Sequence, residues 1–179
     1  VMVMGQMIAK SAILEGKQVT YLPSYGPEMR GGTANCSVIV SDKKIGCPVI
    51  DVPTVVVAMN TASMRKFEGN LAEGGKLFLN DSLIEEDPSR KDVTIYKVDA
   101  AGIAKNDLGN EKASNMVMLG AIIRASGVVS LDIMDKVLAN GLPVRMQVRL
   151  VKLLPHSLVM KIWLRQQKTP RNNQGLTKD

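Results

Sequence analysis

Aromatic side chains are scarce in this chain, at 3% of its residues. A core of any size must therefore be built from Val, Ile, Leu, Met and Ala. Histidine occurs once, as His156, which leaves no Ser-His-Asp arrangement to assemble. There are two cysteines, Cys36 and Cys47, in no C-x-x-C spacing. A zinc or iron–sulfur site needs about four soft or imidazole ligands, and this chain cannot supply them alone. The expectation for the two thiols is that both are reduced and buried, with a disulfide between them as the less favoured alternative. No P-loop G-x-x-x-x-G-K-[ST] is present. Long apolar runs are missing too. The longest, Met116 to Ile123, is interrupted by Gly120 and falls short of the ~18 residues of a membrane span. The N-terminus has no basic stretch ahead of a hydrophobic one, so a secretion signal is not expected. A soluble, cytoplasmic chain is the resulting expectation.

What is present is a 45% hydrophobic, 179-residue chain, long enough for one domain and an appendage. Its net charge of +6 is unevenly placed. Residues 1–140 hold 15 Lys+Arg against 16 Asp+Glu, a balance of −1. Residues 141–179 hold 8 against one, a balance of +7. Residues 1–140 are read as the domain and 141–179 as a basic, partly disordered tail. The domain carries no electrostatic footprint for nucleic acid or membrane. Eleven Met, mostly in apolar runs, are expected as core filler.

The pattern alternates between strands and helices. Met4 to Glu15 sets Met4, Met7, Ile8, Ala12 and Leu14 mostly on one helical face and ends at Gly16, a suitable C′ residue. Gly5 near its start suits close approach to a preceding backbone, or a phosphate at the helix N-terminus. Thr54 to Met59 is apolar without alternation, as in a strand covered on both faces. Asn60 follows, as a cap for a helix over Ala62 to Asn70 or a ligand contact at the carboxyl end of the sheet. Strands are predicted at Lys76 to Asn80 and Val93 to Val98, separated by a solvated loop. Helices are predicted at Ala100 to Leu108 and Asn115 to Ser126, with a last one capped by Ser130. Asp51, Asp81 and Asp99 flank strands, where carboxylates serve as caps and turn formers. The fold class is α/β: a three-layer, mostly parallel, doubly wound (Rossmann-like) sheet.

The most informative stretch is Tyr21 to Ser41. Strands are predicted at Gln18 to Leu22, stopping at Pro23, and at Cys36 to Ser41. The thirteen residues from Pro23 to Asn35 are glycine-punctuated and polar. Ser24, Tyr25, Gly26, Glu28, Arg30, Gly31, Gly32 and Asn35 are the candidates for binding a cofactor or a partner subunit, with Asn60 beside them. Arg30 is the strongest single candidate, since its guanidinium suits bidentate carboxylates and phosphates. An internal Glu28–Arg30 pair within a purely structural Ω-loop is the alternative.

The run Pro23-Ser24-Tyr25-Gly26-Pro27-Glu28-Met29-Arg30-Gly31-Gly32-Thr33-Ala34-Asn35-Cys36 resembles the signature loop of the gamma subunit of 2-oxoacid:ferredoxin oxidoreductases. Gly5-Gln6-Met7-Ile8-Ala9-Lys10, Ala58-Met59-Asn60, Gly74-Gly75 and Ala113-Ser114-Asn115-Met116-Val117 follow the family's order across about residues 1 to 140. The wording is nearer to the 2-oxoglutarate and branched-chain members than to the pyruvate members. Such chains usually open with a strand and a glycine-rich turn. This one starts at Val1-Met2-Val3-Met4-Gly5, so an N-terminal strand missing or truncated is expected.

The resemblance implies oxidative decarboxylation of a 2-oxoacid to its acyl-CoA, with electrons passed to ferredoxin. It also implies that no catalytic residue, metal or cofactor belongs to this chain alone. Thiamine diphosphate, magnesium, coenzyme A and iron–sulfur clusters are expected in the whole complex, with alpha, beta and ferredoxin-like subunits as partners. A homodimer is the expected state if the chain is isolated. Two other readings stay open: a free-standing nucleotide- or phosphate-binding module, and a partner-binding protein acting through its basic tail.

Overall fold

The computed structural model describes residues 1–24 and 34–141. The first element is helix α1, Met2–Leu14. Its Met4, Met7, Ser11 and Ala12 are buried, while Leu14 is 62% exposed rather than on the inner face. The helix stops because Gly16 takes φ +77°, a conformation that an L side chain resists.

Strands β1, Gln18–Ser24, and β2, Asn35–Ser41, follow as an antiparallel hairpin. The ladder runs from Gln18 opposite Ser41 to Ser24 opposite Asn35. Pro23 therefore does not end the first strand; it pairs with Cys36. In a two-stranded ribbon each strand has one side without a partner, so a residue lacking N–H is tolerated there. The connection is correspondingly shorter than the thirteen residues expected, since Pro23, Ser24 and Asn35 belong to the ladder.

The second β unit is parallel, in the order β3 (Val55–Ala58), β4 (Lys76–Asn80), β5 (Thr94–Val98). Alternation sorts its side chains into two layers. Val55, Val57, Phe78, Tyr96 and Val98 face a core shared with α1, α3 (Ala100–Asn106), α4 (Ser114–Ser126) and α5 (Leu131–Gly141). Val56, Ala58, Leu77, Leu79 and Ile95 face α2 (Thr61–Phe67), with Met64, Leu71 and Ile84 completing that side. Helices thus cover both faces, giving the three-layer α/β arrangement. Phe78 and Tyr96 stack across the strands with ring centroids 4.7 Å apart. Six methionines, Met4, Met7, Met64, Met116, Met118 and Met134, are buried, as core filler should be.

Two lysines bind carbonyls at and just past the end of α4. Lys76 Nζ, at the start of β4, donates to the Ala125 carbonyl at 2.7 Å, placing the C-terminus of α4 at the amino end of the parallel sheet. Lys17 Nζ, just before β1, donates to the Val128 carbonyl at 2.9 Å. Cations at the last carbonyls of a helix are favoured by its dipole as well. The open end of the hairpin therefore lies at that same end, and its closing end points the other way.

Candidate functional site

The hairpin is held to α1 by a glycine contact that only a small residue permits. A Cβ on Gly5 would come within 2.7 Å of Cys36 Sγ, 3.0 Å of the Tyr21 ring and 3.2 Å of Val38. The crowding comes from side chains later in the sequence, not from a preceding backbone. The ladder explains why these three meet it. Val19, Tyr21 and Pro23 on β1 face the same side as Val40, Val38 and Cys36 on β2. Val19 and Val40 carry that face into the larger core. Tyr21 adds a contact to the first turn of α1 through the Met2 carbonyl at 3.5 Å.

Ser24 and Asn35 form the last pair of the ladder and lie on the opposite face, away from α1. Ser24 is exposed and Asn35 half-buried. These two are brought together directly. Tyr25, Gly26, Glu28, Arg30, Gly31 and Gly32 lie outside the described residues, as does the expected tail, apart from Gly141.

Asn60 is the cap of α2. Its Oδ1 accepts from the Ser63 N–H at 2.8 Å, the geometry of an Asn N-cap. The helix ends at Phe67, three residues earlier than expected, and continues as a 3₁₀ turn through Asn70. Asp99 does the same for α3: its carboxylate accepts from Gly102 N–H at 2.9 Å and from the Ser82 hydroxyl. The Ser82 oxygen in turn accepts from Ala101 N–H at 3.2 Å. Gly102 leaves room for this, since a Cβ there would sit 2.3 Å from Asp99 Oδ2.

Asn80 was not a sequence candidate. It is fully buried at the carboxyl end of the central strand, where its Nδ2 donates to the Met59 carbonyl at 3.4 Å. Its Oδ1 has no hydrogen-bond partner. The signal for it was only its place at the end of a predicted strand, which many asparagines share.

Electrostatically the described part is ordinary. Glu15 is the most perturbed carboxyl, held down at about 2 from 4.5 chiefly by hydrogen bonds from Lys17 and from the Ser130 backbone. The Ser130 N–H lies 2.6 Å from Glu15 Oε1 and Lys17 Nζ 2.9 Å from Oε2, so this carboxylate joins α1 to the start of α5. Burial pushes the Cys36 thiol up, which makes it a poor nucleophile. Both cysteines are free; Cys36 is half-buried and Cys47 exposed, so the expectation of two buried thiols fails at Cys47. That residue lies in the connection between β2 and β3, outside either core. Among the described residues no three His, Cys, Asp or Glu side chains converge as metal ligands. The two described cysteines fall short of the about four thiolates that an iron–sulfur cluster takes. No described helix is long and apolar enough to cross a membrane.

An α/β domain with a helix-backed hairpin beside a three-stranded parallel sheet defines the class of molecule. The family model described as pyruvate ferredoxin/flavodoxin oxidoreductase matches residues 1–152. The chain belongs to that family. It is 38% identical over 132 residues to the ketoisovalerate oxidoreductase subunit VorA of Methanothermobacter marburgensis, matching 74% of this chain but 27% of VorA. It is 31% identical over 134 residues to the 2-oxoglutarate synthase subunit KorC of Methanocaldococcus jannaschii, covering 74% of this chain and 72% of KorC. Among solved structures it is similar to the gamma subunit of the keto/oxoacid ferredoxin oxidoreductase of Geobacter sulfurreducens PCA. The TM-score is 0.75 and the identity 30%, with 92% of this chain and 91% of that chain covered. The chain thus spans about a quarter of the first relative and most of the other two. The resemblance seen in the signature loop is a membership.

Proposed function

We propose that this chain is the gamma subunit of a thiamine diphosphate-dependent 2-oxoacid:ferredoxin oxidoreductase. In this reading the whole enzyme decarboxylates a 2-oxoacid oxidatively, hands the acyl group to coenzyme A and passes electrons to ferredoxin in the cytoplasm. The observation that carries the reading is the near end-to-end likeness to the Geobacter gamma subunit. The 2-oxoacid proposed is 2-oxoglutarate. The signature run, nearer in wording to the 2-oxoglutarate and branched-chain members than to the pyruvate members, supports that choice.

Within such an enzyme the chain's own contribution is positional. Thiamine diphosphate, magnesium and the clusters would sit on alpha, beta and ferredoxin-like partners, which supply the redox and carbanion chemistry. The hairpin ends in the run that carries Tyr25, Gly26, Glu28, Arg30, Gly31 and Gly32, with Ser24 and Asn35 at its base. In this proposal the run meets a partner subunit or coenzyme A. Asn60, already engaged as a helix cap, keeps the neighbouring strand end in place.

Co-expression with the chains encoded beside it tests the proposal. A purified complex should contain this chain in stoichiometric amount and should form succinyl-CoA from 2-oxoglutarate, coenzyme A and oxidised ferredoxin. The chain by itself should be colourless and inactive. Turnover by the isolated chain, or failure to co-purify with thiamine-binding chains, would overturn it.

A further inference from the structure

Two parallel neighbours must be joined by a crossover over one face of the sheet, usually a helix. Between β4 and β5 that crossover has no helix. It leaves β4 in a turn, where the N–H groups of Leu83 and Ile84 donate to the Asn80 carbonyl at 3.0 and 3.1 Å. Ile84 is then planted in the smaller core, on the α2 side of the sheet. Between Ile84 and Val93 no side chain is fully buried.

Charged ties hold this stretch instead. Glu86 takes the Arg65 guanidinium of α2 with both carboxylate oxygens, the Nε bond being 3.0 Å. Asp87 accepts from Lys97 Nζ at 2.5 Å. Lys97 shares its side of β5 with Ile95, so this tie lies on the α2 side as well. Ser89 donates through its N–H and its hydroxyl to the Glu68 carboxylate, each at 3.1 Å. Arg90 Nη1 donates to the carbonyls of Glu68, Gly69 and Leu71 at 3.4, 3.3 and 3.0 Å, while its Nε bonds Asp92 at 2.6 Å. The far end closes where the Gly74 N–H meets the Asp92 carbonyl at 3.0 Å.

The two halves of this layer answer differently to salt. Exposed charge pairs are screened as the Debye length falls from ~10 Å at ~0.1 M to ~3 Å at ~1 M. Burial of Met64, Leu77 and Leu79 is not weakened by such screening. A segment with no fully buried side chain also belongs to the least protected part of a fold. We infer that residues 85–92 are a salt-released strap. It opens as a unit at high ionic strength, hinged at Ile84 and Asp92, while the sheet and α2 stay folded. Opening uncovers the α2 side of β5, where Ile95 packs against the smaller core.

Amide hydrogen exchange of the full chain at ~0.02 M and ~1 M sodium chloride tests this. The Ser89 N–H, tied to Glu68, reports on the strap, and the Leu79 N–H of the central strand serves as the control. Ser89 should exchange at least about tenfold faster in high salt, with Leu79 unchanged. The double variant Arg65→Ala/Lys97→Ala removes two ties at side chains 66% and 44% exposed. Its Ser89 amide should exchange fast already in low salt and lose most of the salt response, again with Leu79 unchanged. A wild-type Ser89 rate that is the same at both salt concentrations would overturn the inference, whatever the variant does. So would a rise of Ser89 and Leu79 together, which is opening of the whole domain. A folded variant whose Ser89 stays as protected as in the wild type would overturn it too, because the charges would not be what holds the strap.

Discussion

The hairpin and the parallel sheet share a core but are built differently. Every residue of β2 is half-buried and no residue of β1 is buried. In β4 all but the first of five residues are buried. The sheet is covered on both faces by helices; the hairpin is backed through Val19, Tyr21, Val38 and Val40. Apolar area removed from water contributes roughly 25 cal/mol per Å², so the sheet supplies most of the stability. The hairpin contributes less and instead carries a polar run to the surface. Stability and presentation are thus assigned to separate β units.

The largest effect expected from this division is at Phe78. Phe78→Ala should cost ~3–5 kcal/mol, a large part of the 5–15 kcal/mol typical of a domain. Leu22→Ala on the hairpin, at a side chain 41% exposed, should cost under ~1 kcal/mol. Chemical denaturation of both variants checks the contrast, and equal losses would break it.

Arg30→Ala sharpens the comparison from the other side. Isolated stability should change by at most ~1 kcal/mol. Assembly with the thiamine-binding chains, or KM for coenzyme A, should worsen roughly tenfold or more, since a desolvated charged contact is commonly worth ~2 kcal/mol. Unchanged assembly and kinetics would return the loop to an internally satisfied structure.

Smaller again is Glu15. Its carboxyl has a folded value of about 2 against 4.5, so the stability it contributes is complete above pH 4.5 and is lost as pH falls towards 2. Glu15→Gln should cost roughly 1.5 kcal/mol at neutral pH and flatten the acid limb between those values. Melting midpoints of both proteins along a pH series measure this; parallel acid limbs would show that Glu15 is not the responsible group. Asn60→Ala comes last, at ~1 kcal/mol for a lost N-cap, read from the thermal midpoint. If coenzyme A kinetics changed as well, Asn60 would be more than a cap.

Local chemistry made much of this legible beforehand. Lys76–Asn80 was predicted to the residue, because Gly74-Gly75 and Asp81 punctuate it. Gly16 closes α1 at positive φ, as its place after Glu15 predicts. The cap at Asn60 was readable for the same reason: its partner is three residues away. What could not be read depends on distant partners. Pro23 stops a strand only if its N–H is needed, and that depends on whether a neighbouring strand lies on that side. Leu14 continues the helical period, yet nothing in the described part packs over it. Gly5 is required by Cys36, Tyr21 and Val38, which no spacing rule connects to it. The candidate loop was legible as a motif and as a resemblance, while the crowding that aims its stem was not.

The two lysines at the end of α4 bear on how the hairpin can move. Lys17 opens the hairpin and Lys76 opens the central strand, and they grip carbonyls three residues apart, on Val128 and Ala125. The two β units share no ladder, yet both take their origin from this one helix end. It anchors the open end, and the hairpin extends from it as an arm. Seven residues at ~3.3 Å each make an arm of about 23 Å. A tilt of ~5° about the lysine end, too small to disturb the strand pairing, would carry Ser24 and Asn35 by ~2 Å. Where the hairpin's closing end sits is therefore set by two anchors, the lysine end and the Gly5 contact with Cys36, Tyr21 and Val38.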